Sequence, residues 1–215
     1  MFHVHRGLIP SVMGAGGLHT LTLQPGAATG VDTDLSATAP TENYGTAEDM
    51  AVQTTTVGPN VIMVSMVKFD LSSIPSGANI RKATLTLCAQ STMNGTGTVG
   101  VYRVLAANSS WTNTGATWQH QAGTTNWAGG HSGCQTADTD YDSTAMGSFT
   151  VTVGEVAGTA YNISLSIAGL KLMMANNCGL TLFMAANTAP SSIPTFCTSN
   201  HATAAYRPKL VVVYG

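Results

Sequence analysis

From Val31 onward the chain is a series of short apolar stretches alternating with polar residues at a period of two, separated by clusters of Gly, Asn, Ser and Pro. That pattern predicts antiparallel strands, because successive side chains on a strand point to opposite faces. Strands are expected over 31–36, 49–55, 61–70, 81–90, 98–105, 147–153, 160–165, 179–186, 194–199 and 208–214. One helix is expected within "SLSIAGLKLMMANNCG", where Ile167, Leu170 and Met174 recur at spacings of three and four and Asn177 and Gly179 supply stop signals. Met173 and Met174 read there as core filler rather than cofactor ligands. The predicted fold is all-β, an antiparallel β-sandwich of jelly-roll-like form, with the short helix plugging one end.

Residues 1–27 break the pattern. Gly7, Gly14, Gly16, Gly17, Pro10 and Pro25 occur with no sustained period, so the stretch reads as an extended N-terminal arm and 28–215 as the sandwich domain. Phe2, Leu8, Ile9, Val12 and Met13 are more apolar than a solvated tail requires, which suggests docking on a neighbour.

A second irregularity lies in "VIMVSMVKFDL". Alternation places Val61, Met63, Val67, Phe69 and Leu71 on one face and Ile62, Val64, Met66, Lys68 and Asp70 on the other. Lys68 and Asp70 therefore share a face about 7 Å apart. Asp70 precedes "LSSIPSGA", where a carboxylate can accept backbone N–H bonds and shape the turn.

Composition narrows the function. Only 8% of residues are charged, against roughly 25% in an ordinary soluble domain. A surface built mainly of Thr, Ser, Asn, Gln and Gly suits an extracellular protein or one packed in an ordered assembly. Eight Lys+Arg against ten Asp+Glu leave no basic tract, so nucleic acid is not an expected partner. No apolar run is long enough to span a membrane, and the opening segment lacks the form of a secretory signal. That start at Met1 fits a virion component made in the cytoplasm, with a trimmed secreted chain as the other option. Cys88, Cys134, Cys178 and Cys197 allow three pairings; free thiols and a Cys178–Cys197 bridge between late strands are both open.

Catalysis finds no support. "GHSGC" at 130–134 imitates a nucleophile elbow but has Cys134 in place of the last glycine and lies in a long loop. Asp138, Asp140 and Asp142 alternate in "TADTDYDS", with no Lys or Arg between Arg103 and Lys171, and calcium would relieve their repulsion. A solvated acidic loop is the other reading, and no cofactor is otherwise expected. A second acidic stretch, Asp32, Asp34, Glu42, Glu48 and Asp49, is accounted for by strand ends and caps. His3 and His5 alternate in the arm but lack a third ligand.

Four segments, "TAPTENYGTAEDMAV" (38–52), "SMVKFDLSSIPSGANIRKATLTL" (65–87), "VGVYRVLAANSSWTNTGATW" (99–118) and "RPKLVVVY" (207–214), together resemble the DNRLRE domain family. These are β-sandwiches related to carbohydrate-binding modules, and the resemblance covers roughly residues 31–215. It marks Lys68, Phe69, Asp70, Trp111, Trp118 and Arg207 as structural signature positions. Lys68 stands where the family usually has Arg, and Ser199 and Asn200 stand where it typically has a charged pair. The resemblance implies a non-catalytic surface domain, in some members one that binds acidic polysaccharide. It also implies that Trp111 and Trp118 pack a loop on the sandwich, leaving Trp127, beside Gly129 and Gly130, as the candidate exposed ring for a glycan.

Two readings follow. The first is a virion structural protein, such as a bacteriophage capsid decoration, head fibre or tail appendage, docked through its arm to other virion proteins and homo-oligomeric. The alternative is a carbohydrate-binding or adhesin module that meets cell-surface polysaccharide.

Overall fold

The computed structural model describes residues 17–54, 62–184 and 193–215. Phe2, Leu8, Ile9, Val12 and Met13, the expected docking residues, lie outside these, as do His3 and His5.

In chain order the elements are β1 (His19–Leu23), β2 (Val31–Ser36), β3 (Asp49–Ala51), β4 (Gln53–Thr54), β5 (Ile62–Lys68), β6 (Ile80–Cys88), β7 (Gly97–Arg103), β8 (His120–Ala122), β9 (Thr125–Asn126), β10 (Gly147–Val151), β11 (Ala160–Ser164), α1 (Ile167–Ala175), β12 (Leu180–Met184), β13 (Thr195–Cys197) and β14 (Lys209–Tyr214). The first sheet has the order β1-β14-β6-β11 and the second the order β10-β7-β12-β5-β2, with β4 also on β5. Every named ladder is antiparallel. This is an all-β antiparallel sandwich with one short helix.

Alternation makes the core. Leu85 and Leu87 of β6, Leu210 and Val212 of β14, and Ile163 of β11 face Val99 and Val101 of β7, Val67 of β5, and Leu180 and Leu182 of β12, all in one buried cluster. Helix α1 links the two sheets in sequence, from β11 to β12, and contributes Leu170 and Met173 to that cluster. Ser166 caps it by accepting from the Gly169 N–H at 3.2 Å. Met173, rather than Ile167 or Met174, is the second buried residue; Ile167 stands at the first turn, exposed.

The arm boundary is corrected. His19–Leu23 is an edge strand fully in register with β14, from His19 opposite Tyr214 to Leu23 opposite Leu210. Leu21 and Leu23 pack against the core while Thr20 and Thr22 are exposed, so the domain begins well before residue 28. A single short strand whose partner lies at the far end of the chain leaves no local signal beyond "TLTL".

Of the two cysteine readings, the structure shows free thiols and no Cys178–Cys197 bridge. All four cysteines are free and buried. Cys178 follows α1 into a second apolar cluster, whereas Cys197 lies on β13 opposite Asp49. Among the described residues no helix is long and apolar enough to cross a membrane.

Candidate functional site

Strand β5 is buried on both faces, which explains its unbroken apolar run. Val67 faces the inter-sheet core, while Val64 and Met66 join Leu35, Val104, Trp111, Ala116, Trp127, Cys134 and Cys178 in a second cluster on the outer face of the second sheet. Residues 104–146 form its cover, including the β8–β9 hairpin.

Polar pins hold that cover. Asp140 is fully buried; one carboxylate oxygen accepts from Asn108 Nδ2 at 3.0 Å and Gly129 N at 2.8 Å, and the other from Thr136 N at 2.9 Å. Asn108 returns its own carbonyl oxygen to Ala128 N, and Gln121 donates to the carbonyls of Ala107 and Asn126. Buried amides and carboxylates of this kind are tolerated only when satisfied.

The alternating aspartates Asp138, Asp140 and Asp142 each have protein partners of their own. Asp142 pairs with Arg103 at 2.8 Å and accepts from Thr144 N, and these bonds hold its carboxyl below the usual range. Asp138 accepts from Ser143 N. The three carboxylates point to separate tasks, and among the described residues no cluster of three potential ligands occurs. The cation that sequence distance hid is Arg103, brought alongside by the fold.

Trp127 is likewise corrected. It is 1% exposed and donates from Nε1 to Thr117 O at 2.9 Å, so it is a floor of the cover and offers no ring to a ligand. Trp111, equally buried, donates to Cys178 O. Trp118 is half-buried against Gly133, whose φ of +61° and absent side chain admit the ring: a Cβ there would stand 2.3 Å from Cε3.

The other signature positions are scaffold as well. Lys68 places its ammonium 5.0 Å from the Trp111 ring centre, and burial pulls its pKa down. Phe69 sits in the inter-sheet core. Asp70 is exposed and accepts from Ser72 N at 2.9 Å, shaping the turn and keeping its carboxyl acidic. Arg207 donates to His201 O at 2.8 Å. In place of a charged pair, Ser199 donates through both N–H and hydroxyl to buried Asp32, whose pKa burial still raises.

An aromatic surface remains at the margin of the cover. Tyr102 of β7, Phe183 of β12 and Tyr141 of the cover are partly exposed, with ring centres 5.5 Å apart for Tyr102–Phe183, 4.7 Å for Tyr141–Phe183 and 5.2 Å for Tyr102–Tyr141. Tyr102 lies along Gly100, where a Cβ would stand 2.6 Å from ring carbon Cε2. Backbone bridges from Tyr141 to Val104 and Ala137 fix the main chain that carries the third ring. Burial raises the Tyr141 pKa, so its phenol stays neutral. Beyond the rings, Ser148 and Thr150 stand exposed on edge strand β10, opposite Gly100 and Thr98.

Rings in a shallow shelf with hydroxyls at the rim suit the flat apolar face and equatorial hydroxyls of a sugar. The tryptophan positions do not point to these three rings. The signal was present: "VGVYR" and "LTLFM" put Tyr102 and Phe183 on the faces opposite Val101 and Leu182. No curated protein matches the chain. The model of carbohydrate-binding module family 96 matches residues 21–169, over half of the chain, including strands of both sheets, the whole cover and two of the three shelf rings. The chain belongs to carbohydrate-binding module family 96.

Proposed function

We propose that this protein is a non-catalytic binding domain that holds a polysaccharide across the Tyr102–Tyr141–Phe183 shelf. The observation that carries this is three partly exposed rings, fixed by packing beside exposed hydroxyls, in a chain of a carbohydrate-binding family. Family membership supports the polysaccharide alternative over the virion reading, for which the fold offers no observation.

The shelf favours an uncharged sugar face. Arg103, next to Tyr102, is already committed to Asp142. Lys82 and Lys209 lie instead on the outer face of the first sheet, paired in register with Val213 and Thr86. An acidic chain would be drawn to that other face.

Affinity electrophoresis against neutral and acidic polysaccharides tests this. Tyr102→Ala and Phe183→Ala should each weaken binding of a neutral polysaccharide about tenfold, the loss expected when about 1.4 kcal/mol of contact disappears. The paired change Lys82→Ala and Lys209→Ala should leave that binding unchanged. Loss of binding in the lysine variant alone would move the site to the first sheet and overturn the shelf.

A further inference from the structure

Of the three pairings open to four cysteines, the fold favours one that spacing alone does not reveal. Ala89 and Phe196 form an antiparallel bridge at the end of β6. Stepping one residue along each strand in that register sets Cys88 directly across from Cys197. Directly opposed residues in an antiparallel pair have Cα atoms about 4.5–5.5 Å apart, inside the window of about 4.4–6.8 Å that a disulfide spans.

Side-chain direction agrees. Ala89 and Phe196 both face the inter-sheet core, so Cys88 and Cys197 both turn to the opposite side. Gln90, next in alternation on that side, accepts from the Cys197 thiol at 3.1 Å. We propose that Cys88 and Cys197 are a latent cross-strand disulfide, which closes when the protein meets an oxidising small disulfide and locks β13 onto the end of β6.

The chemistry is a two-step exchange with a disulfide such as oxidised glutathione. The Cys88 thiolate attacks one donor sulfur and expels a glutathione thiolate; the Cys197 thiolate then attacks the Cys88 sulfur of the mixed disulfide and expels the second. The protein loses two protons and two electrons, and two molecules of reduced glutathione carry them away. Both thiols are shut from solvent, 3% and 0% exposed. Burial raises both pKa values, Cys197 to about 12, while the charge of Lys209 partly offsets the rise at Cys88. The closed native state therefore reacts slowly, and bond formation belongs to folding or to openings of β13, whose ladder with β3 is three residues long.

The bond would anchor more than one strand. Directly after Cys197, Thr198 donates to Ala47 O, Ser199 binds Asp32, and Asn200 donates to the carbonyls of Gly45 and Ala47. Locking Cys197 fixes this clasp and shortens the long loop open to the unfolded chain.

The test is refolding from urea in a glutathione redox buffer, followed by non-reducing digestion and mass spectrometry. The expected result is one cross-linked peptide joining Cys88 to Cys197, lighter by two hydrogens, with a melting temperature several degrees above that of the reduced protein. Cys134→Ser with Cys178→Ser should retain the cross-link, and Cys88→Ser or Cys197→Ser should abolish it. A Cys178–Cys197 peptide, only glutathione adducts, or no intramolecular bond in the parent protein would each overturn the proposal.

Discussion

On the outer face of the first sheet, Thr20, Thr22, Lys82, Asn162 and Ser164 stand exposed; β11 and most of β14 show plain alternation, while β6 ends with Thr86 and Cys88 buried. On the outer face of the second sheet, Leu35, Val64 and Met66 are fully buried beneath the 104–146 cover. The two sheets share their strand chemistry and differ in what lies over them. A bare face positions its side chains only through the strands. A covered face is a second core, and rings at its margin are held from below and from the side, which would lower the entropy cost of the ligand binding proposed above.

The sharpest way to break that contrast is to remove a floor residue. Trp127→Ala should cost about 3–5 kcal/mol by urea unfolding, as expected for a large buried side chain. Thr22→Ala on the bare face should stay within about 0.5 kcal/mol. Equal small effects would show that the cover is not part of the cooperative unit.

Next comes the polar pin. Asp140→Ala strands the donors of Asn108, Gly129 and Thr136 and should cost about 3 kcal/mol, read in the same unfolding experiment. A near-neutral result would mean that hydration replaces those bonds and that the cover is wet.

A smaller effect depends on pH. Burial and the nearby Asp49 raise Asp34 from 3.8 to about 7. The folded state therefore binds a proton that the unfolded state has released, and the stability this contributes is full below pH 3.8 and lost as pH rises towards 7. Asp34→Asn should melt a few degrees above the parent at pH 8, with the advantage shrinking towards pH 4. A difference independent of pH would reject this assignment.

The smallest effect probes the join between the sheet and its cover. Lys68→Met keeps the aliphatic stem and removes the ammonium from the Trp111 ring, so it should cost about 0.5–1 kcal/mol. A stabilised variant would mean that burying the ammonium outweighs its attraction to the ring.

Strands with their own period of two were legible in the sequence, and all ten expected segments contain all or most of an observed strand. The helix was legible too, from spacing and stop signals: Leu170 and Met173 are buried in the core and Met174 packs partly buried against it, while Ile167 is exposed. Strand β1 was not, because "TLTL" acquires meaning only beside β14. The site was half legible. Alternation sets Tyr102 opposite Val101 and Phe183 opposite Leu182 on their own strands, but the β7–β12 pairing brings those two rings together and the fold of the cover adds Tyr141.

The sequence by itself determined an all-β chain, its strand faces and the turn at Asp70, because each depends on neighbours within a few residues. Tertiary structure alone decided that Arg103 neutralises Asp142, that Ser199 satisfies Asp32, that Trp127 is floor rather than platform, and that Cys197 faces Cys88. Those outcomes depend on which distant strands pair and what a long loop covers. Burial and charge pairing are properties of the packed molecule, and no local period encodes them.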